Sequence, residues 1–160
     1  MTNDEYISAL KRNSNRLYLI ALSYTGNHSD AEDIMQEVLL KLWKTNKAFN
    51  NKEHMDKWLT ISCINKCKDR FKSPFVKNTL TLDEAKELYT FDSVKSIDIF
   101  NAVMSLPKKE RITLHLFYYE DKSLNEIAGL LKCKPSAAKT RLCRARKHLK
   151  DILGDDWINE

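Results

Sequence analysis

Eight cations and no acid stand between residues 132 and 150: Lys132, Lys134, Lys139, Arg141, Arg144, Arg146, Lys147 and Lys150. They exceed the whole chain's formal excess of +5, which comes from 27 basic and 22 acidic side chains. Such a concentration suits a polyanion, because each Lys or Arg set on a phosphate releases condensed counterions. Carboxylates gather elsewhere, at Asp30, Glu32, Asp33 and Glu37, and two thiols, Cys63 and Cys67, stand one helical turn apart. Either group invites a metal. The carboxylates point over a wide arc of one helix, however, and the histidine nearest Cys63 is His54, nine residues upstream. Neither set has coordinating spacing. No P-loop, nucleophile elbow or paired acid and base occurs, so no catalytic residue, no metal and no cofactor is expected, and the chain is expected not to be an enzyme. Cys63 and Cys67 line up with Leu59 and Phe71, as buried thiols would.

The basic run needs an element to hold it. Leu106-Pro107 ends one helix and starts another, KKERITLHLFYY, and Ser123-x-x-Glu126 is a capping box opening LNEIAGLL. The turn Lys132-Cys133-Lys134 leads to Pro135 at a first helical position, then SAAKTRLCRARKHLKDIL. A short helix, a tight turn and a longer helix have the spacing of a helix-turn-helix. On the longer helix Ala138, Leu142, Ala145, Leu149, Ile152 and Leu153 share about a third of the circumference. Ser136, Thr140, Cys143, Arg144 and Lys147 face away, flanked by Lys139. Hydroxyls and Arg in the first half of such a helix can read base edges, and cations further along hold phosphates. No acid is available to pair with them until Asp151. DNA binding is the expected function of this helix.

The front of the chain is patterned differently. Gly26-Asn27 ends a helix, and Ser29-x-x-Glu32 reads as a capping box for the next. At 100° per residue, Ala31, Met35, Val38 and Leu42 form its core stripe. The opposite side carries Asp33, Gln36, Glu37 and Leu40, with Trp43 at its edge. Such a cluster of acids is commonly a solvated face, but an apolar Leu among them, next to Trp, fits a protein-binding surface equally well. A third element, from about Asp56 to Lys72, buries Leu59, Cys63, Cys67 and Phe71. It turns Asn65, Lys68, Arg70 and Lys72 outward. The loop before it holds one aromatic, Phe49, and rings beside cations suit single-stranded nucleic acid.

Only three Gly and three Pro occur in 160 residues, well below the roughly 12% usual for the pair. Turn-rich sheets are therefore excluded and an all-α fold is expected. Helical spacing comes in two blocks, which predicts two small helical domains: residues 1–73 and 96–160. The segment 74–95, with Pro74 and scattered polar residues, is expected to be a linker with one short helix. No apolar run approaches the roughly 20 residues that span a bilayer, and MTNDEYISAL lacks the basic start and apolar core of a secretory signal. A cytoplasmic protein with no direct membrane insertion is expected.

Three stretches in order, TGNHSDAEDIMQEVLLKLWK, WLTISCINKCKDRFK and LPKKERITLHLFYYEDKSLNEIAGLLKCKPSAAKTRLCRARKHLK, resemble a bacterial RNA polymerase sigma factor of the extracytoplasmic-function (ECF) group. The resemblance implies a region 2 helical bundle and a region 4 helix-turn-helix. Region 2 would dock on the β′ coiled coil of core RNA polymerase and open the promoter −10 element. Region 4 would bind the −35 element as duplex and touch the β flap. Carried over by residue, Asp33, Gln36, Glu37 and Leu40 would bind core polymerase. Phe49, Thr60, Ser62 and Asn65 would capture a flipped base of the −10 single strand, with Lys66, Lys68 and Arg70 on the adjacent backbone. Ser136, Ala137, Lys139, Thr140, Cys143 and Arg144 would read the −35 element, with Arg141 and Arg146 near phosphates. Promoter DNA and core polymerase are the implied partners, an anti-sigma factor a further one; no small-molecule substrate is implied. Lys132, Ala138 and Thr60 depart from the family's usual turn Gly, larger β-branched residue and aromatic. The alternative is a stand-alone helix-turn-helix regulator, which explains residues 106–150 but leaves the acidic face of the first block without a role.

Overall fold

The computed structural model describes residues 1–72 and 94–154, and all regular structure among them is helical. Of the expected linker over 74–95, residues 74–93 with the expected short helix lie outside the described residues, and Val94 and Lys95 already belong to a helix. The chain divides into two compact units, Met1–Thr79 and Leu80–Glu160. The first holds α1 (Asn3–Thr25), α2 (His28–Lys44) and α3 (Lys52–Lys72). The second holds α4 (Val94–Met104), α5 (Lys108–Tyr118), α6 (Leu124–Leu131) and α7 (Pro135–Leu153).

In the first unit α1 opens on a reciprocal capping box. The Glu5 amide donates to Thr2 Oγ1, and the Thr2 amide donates to Glu5 Oε2. The helix stops at Gly26, whose φ of 67° is the left-handed conformation that glycine adopts without strain. The chain then enters α2 at once, and here the expected start is corrected. Asn27, not Ser29, is the N-cap, its side-chain oxygen accepting from the Asp30 amide at 3.0 Å. Because Gly26 reverses the chain in one residue, the next extended residue is already in capping position and Ser29 and Glu32 fall inside the helix. The core stripe is corrected as well: Ala31, Ile34, Val38 and Leu42 are fully buried, while Met35 is half-buried. Leu17, Ile20 and Leu22 of α1 and Leu59, Cys63, Ile64 and Cys67 of α3 are buried too, and the three helices pack on one another. Cys63 Sγ donates to the Leu17 carbonyl, and both thiols are free and buried, as the spacing predicts. Burial, then the neighbouring Cys63, pushes the Cys67 thiol well above its ordinary value.

A polar clasp ties α1 to α3. Arg12 Nη2 and Asn13 Nδ2 donate to Asp56 Oδ1 at 2.9 and 3.0 Å. Burial alone would raise the Asp56 carboxyl, but the hydrogen bonds from Arg12 and Asn13, with the charges of Arg12 and Arg16, outweigh it and hold the group below its usual value.

The second unit packs α4, α5 and α7 around Ala102, Leu106, Leu114, Leu142, Ala145 and Leu149, with Val103, Phe117, Leu124 and Leu153 at the margin. Along α7 the expected stripe is buried from Ala138 to Leu149 but Ile152 is exposed, and it is Leu153 that packs at the margin of the core. Ser123 caps α6, accepting from the Glu126 amide at 3.1 Å. The turn into α7 passes through Lys132 at φ 54°, a left-handed conformation in which a Cβ crowds the following carbonyl. Lys132→Gly is expected to stabilise this unit by about 0.5–1 kcal/mol, relief of the left-handed strain exceeding glycine's greater unfolded entropy. The midpoint of urea unfolding for the second unit reads it, and a lowered midpoint would show that the turn is unstrained and that only glycine's entropy is felt.

Candidate nucleic-acid and partner-binding faces

Because α2 buries Ala31, Ile34, Val38 and Leu42, its other side must face water. Asp33, Gln36 and Glu37 are exposed there. Leu40 and Trp43 are each 50% exposed, unusual for large apolar side chains beside acids. Trp43 is braced from behind. The Tyr6 ring lies 4.8 Å from it, and the Tyr6 hydroxyl donates to the Leu39 carbonyl at 2.8 Å. The result is a fixed apolar ridge flanked by carboxylates, suited to a partner helix with apolar and cationic side chains.

The residues expected at the −10 strand do not share one open surface. Phe49 is half-buried, edge-on to His54 and Trp58 with ring centroids at 5.4 and 5.5 Å, and Lys41 Nζ lies 5.3 Å from the Trp58 ring centre. Asn65 is exposed one to two turns further along α3, and Ile61, between them, is 40% exposed. Ile61 was not singled out by the sequence; apolar exposure is a property of packing that periodicity alone does not give. Thr60 and Ser62 are corrected: both are buried. Thr60 Oγ1 accepts from Arg16 Nη1 at 2.7 Å and donates to the Asp56 carbonyl at 3.0 Å, so its hydroxyl is committed within the bundle. Lys66 and Arg70 stand across from α2. Lys66 Nζ is 3.8 Å from Glu37, and Arg70 is 3.5 Å from Asp33 and 3.7 Å from Asp30.

On α7, Ser136, Lys139, Thr140, Cys143 and Arg144 are exposed, Ala137 and Arg141 half-buried. The Thr140 hydroxyl donates back to the Ser136 carbonyl at 2.9 Å. Arg146 is exposed but anchored: its Nε donates to the Tyr118 hydroxyl at 2.7 Å, and its guanidinium lies 5.5 and 5.4 Å from the Phe117 and Tyr118 rings. It braces α7 against α5, an attachment that spacing on one helix does not reveal. Between those two helices lies a groove of about 600 Å³, lined by Pro107 to Glu110 and by Ser136, Ala137, Thr140, Arg141 and Arg144. Lys108 and Lys109 therefore join the basic surface, and the sequence reading missed them. The available signal was a lysine pair in the first turn of a helix, where the dipole disfavours cations. Burial first, then the charges of Lys109 and Arg111, pulls the Lys108 ammonium below its ordinary value. Four of its nine lining residues, Lys108, Lys109, Arg141 and Arg144, are cations against one acid, Glu110, a balance that suits phosphate.

The described residues thus give a three-helix unit with an exposed acidic-apolar ridge and a helix-turn-helix unit whose last helix has an exposed basic face. Comparison with known proteins names the class. Residues 9–73 match the family described as Sigma-70 region 2, and residues 96–149 that described as Sigma-70, region 4. RNA polymerase sigma factor SigV of Bacillus subtilis is 31% identical over 133 residues, covering 81% of this chain and 80% of its own. ECF RNA polymerase sigma factor SigW of the same organism is 28% identical over 157 residues, covering 88% and 84%. The sigma factor RpoE of Bartonella quintana, solved in complex with the anti-sigma factor NepR, has the same fold, with a TM-score of 0.71 at 20% identity over 93% of this chain and 96% of that one. This chain belongs to the sigma-70 family as an ECF sigma factor: a non-enzymatic protein that binds core RNA polymerase and directs it to promoter DNA. Among the described residues no helix is long and apolar enough to cross a membrane.

Proposed function

We propose that residues 1–73 dock on the β′ coiled coil of core polymerase through Asp33, Gln36, Glu37 and Leu40 and hold the opened −10 strand, while residues 96–160 read the −35 duplex and touch the β flap. The observation that carries this reading is the pairing of an exposed acidic-apolar ridge on α2 with an exposed cationic face on α7. Phe49 and Asn65 supply a ring face and a base-edge amide for an extruded nucleotide, and Lys66, Lys68 and Arg70 its backbone contacts. Thr60 and Ser62 stand behind that wall rather than on it. On the duplex, Ser136, Ala137, Lys139, Thr140, Cys143 and Arg144 face the bases, and Arg141, with Lys108 and Lys109, the phosphates. An anti-sigma factor is proposed as a regulatory partner, supported by the complex in which the structural neighbour was solved. The protein would work where its polymerase is, in the cytoplasm.

Run-off transcription on fragmented genomic DNA, with purified core polymerase alone and with this protein, tests the whole reading. New start sites are expected only when the protein is present, and their absence would return the chain to the class of stand-alone regulators. With a promoter in hand, Arg144→Ala is expected to lose roughly tenfold in affinity for the −35 base it reads, with relaxed choice at that position. Footprints of parent and variant holoenzyme on permuted −35 elements measure this. Unchanged selectivity would remove Arg144 from the reading set.

A further inference from the structure

The cations assigned above to the displaced DNA strand and the carboxylates assigned to polymerase are each other's partners in this structure. Arg70 lies 3.5 Å from Asp33 and 3.9 Å from Glu37, and Lys66 lies 3.8 Å from Glu37. The same guanidinium is 3.7 Å from Asp30, whose side chain is only 6% exposed. Asp33 and Glu37, by contrast, are 57% and 50% exposed. All four contacts are longer than the roughly 2.7–2.9 Å of a well-formed charge-assisted hydrogen bond. The three made by Asp33 and Glu37 are loose and open to solvent on the carboxylate side, pairs worth at most about 1 kcal/mol each.

We propose that these pairs act as an electrostatic latch between the two binding functions of the first unit. In the free protein, Asp33 and Glu37 hold Lys66 and Arg70 and lower their attraction for nucleic acid. A cationic polymerase surface that takes Asp33 and Glu37 releases both side chains to the phosphates of the opened strand. Asp30 stays with Arg70 in either state and serves as its pivot, so the long side chains re-aim without movement of α2 against α3. The coupling is reciprocal: single-stranded DNA on Lys66 and Arg70 exposes the carboxylates to polymerase by the same factor. Promoter opening is thereby biased toward the assembled holoenzyme. The latch rests on the assignment of α2 to polymerase and of Lys66 and Arg70 to DNA.

The test is binding of the full chain, without polymerase, to a fluorescein-labelled single-stranded oligonucleotide of random sequence, read by anisotropy. The double variant Asp33→Asn, Glu37→Gln is expected to bind three- to tenfold more tightly than the parent, the range for losing a few half-exposed pairs. Asp4→Asn, Glu53→Gln removes the same charge in the first turns of α1 and α3, outside the cluster, and is expected to gain twofold or less. In a Lys66→Gln, Arg70→Gln background the first pair of changes should gain no more than this control. Equal gains for both double variants, or a gain that survives that background, overturns the latch. Should loss of Arg70 leave Asp30 unpaired and the chain unfolded, Lys66→Gln alone provides the background; Arg70 remains there, so the gain is expected to shrink without vanishing, and an undiminished gain overturns the latch. Failure of the underlying assignment reads differently. Holoenzyme carrying Lys66→Gln would then open promoters as the parent does, whereas impaired opening without any gain in the free carboxylate variant sinks the latch alone.

Discussion

Glu37→Lys is expected to weaken holoenzyme assembly by roughly 30- to 100-fold while leaving the fold intact. The separation of effects follows from where Glu37 sits. Its side chain is half-exposed, and the buried stripe of α2 runs through Ile34, Val38 and Leu42 on the other side. Losing its contacts with Lys66 and Arg70 costs about 1 kcal/mol or less, as for exposed pairs generally. The introduced ammonium also faces those two cations, which adds a mild repulsion that water and salt screen. At a docked interface the balance changes. A cationic partner seated on this ridge would meet a like charge at its centre with water excluded, and such juxtapositions cost several kcal/mol. Glu37→Gln, which removes attraction without adding repulsion, should lose much less. Competition for core polymerase against the parent protein gives the ratio, and the thermal unfolding curve gives the fold. Undiminished assembly with an unchanged melt would move the polymerase contact off α2.

The helices were legible in the sequence because capping and periodicity are local. Ser123 with Glu126 and Pro135 mark helix starts that the structure keeps, and the α7 stripe from Ala138 to Leu149 is buried as spaced. The start of α2 was misread by two residues because two candidate caps, Asn27 and Ser29, lie side by side, and the choice between them depends on how abruptly Gly26 turns the chain. Ile34 is in the core in place of Met35 for a different reason: both border the stripe on the helical wheel, and the packing of α1 and α3 decides between them. The surfaces were legible only in part. Exposure of Asp33, Gln36, Glu37 and Leu40 follows from one helix alone, so one helical wheel suffices. Whether Thr60 is open depends on Arg16, 44 residues away. Whether Arg146 is bound depends on Tyr118, 28 residues away. The pairing of Arg70 with Asp33 needs α2 and α3 to be packed first. Contacts of that kind are tertiary facts with no signature in the spacing of either partner.

A histidine with an enclosed ring nitrogen is expected to govern the acid response of the second unit. His115 Nε2 is enclosed and has no hydrogen-bond partner, while the ring stacks on Tyr119 with centroids 4.9 Å apart. Placing a proton there would bury a charge without compensation, so burial pulls the imidazole from its ordinary 6.5 down to about 4. The sign follows from proton counting. Between pH 6.5 and 4 the unfolded chain holds a proton on this residue that the folded chain refuses, so stability rises with pH in that window and falls as the solution is acidified. The full loss, reached near pH 4 and no larger below it, is about 3 kcal/mol for a shift of this size. In a unit of this length that is a large part of the total stability. His115→Phe keeps the stacking surface and removes the titrating nitrogen. It is expected to flatten the pH dependence of the second unit's unfolding midpoint between pH 7 and pH 4, with little change at pH 7. The difference between parent and variant isolates His115 from the Glu110–His148 pair, which both proteins share. Parallel pH profiles for the two would show that the folded unit accommodates the imidazolium, and that water reaches Nε2 where the packing encloses it.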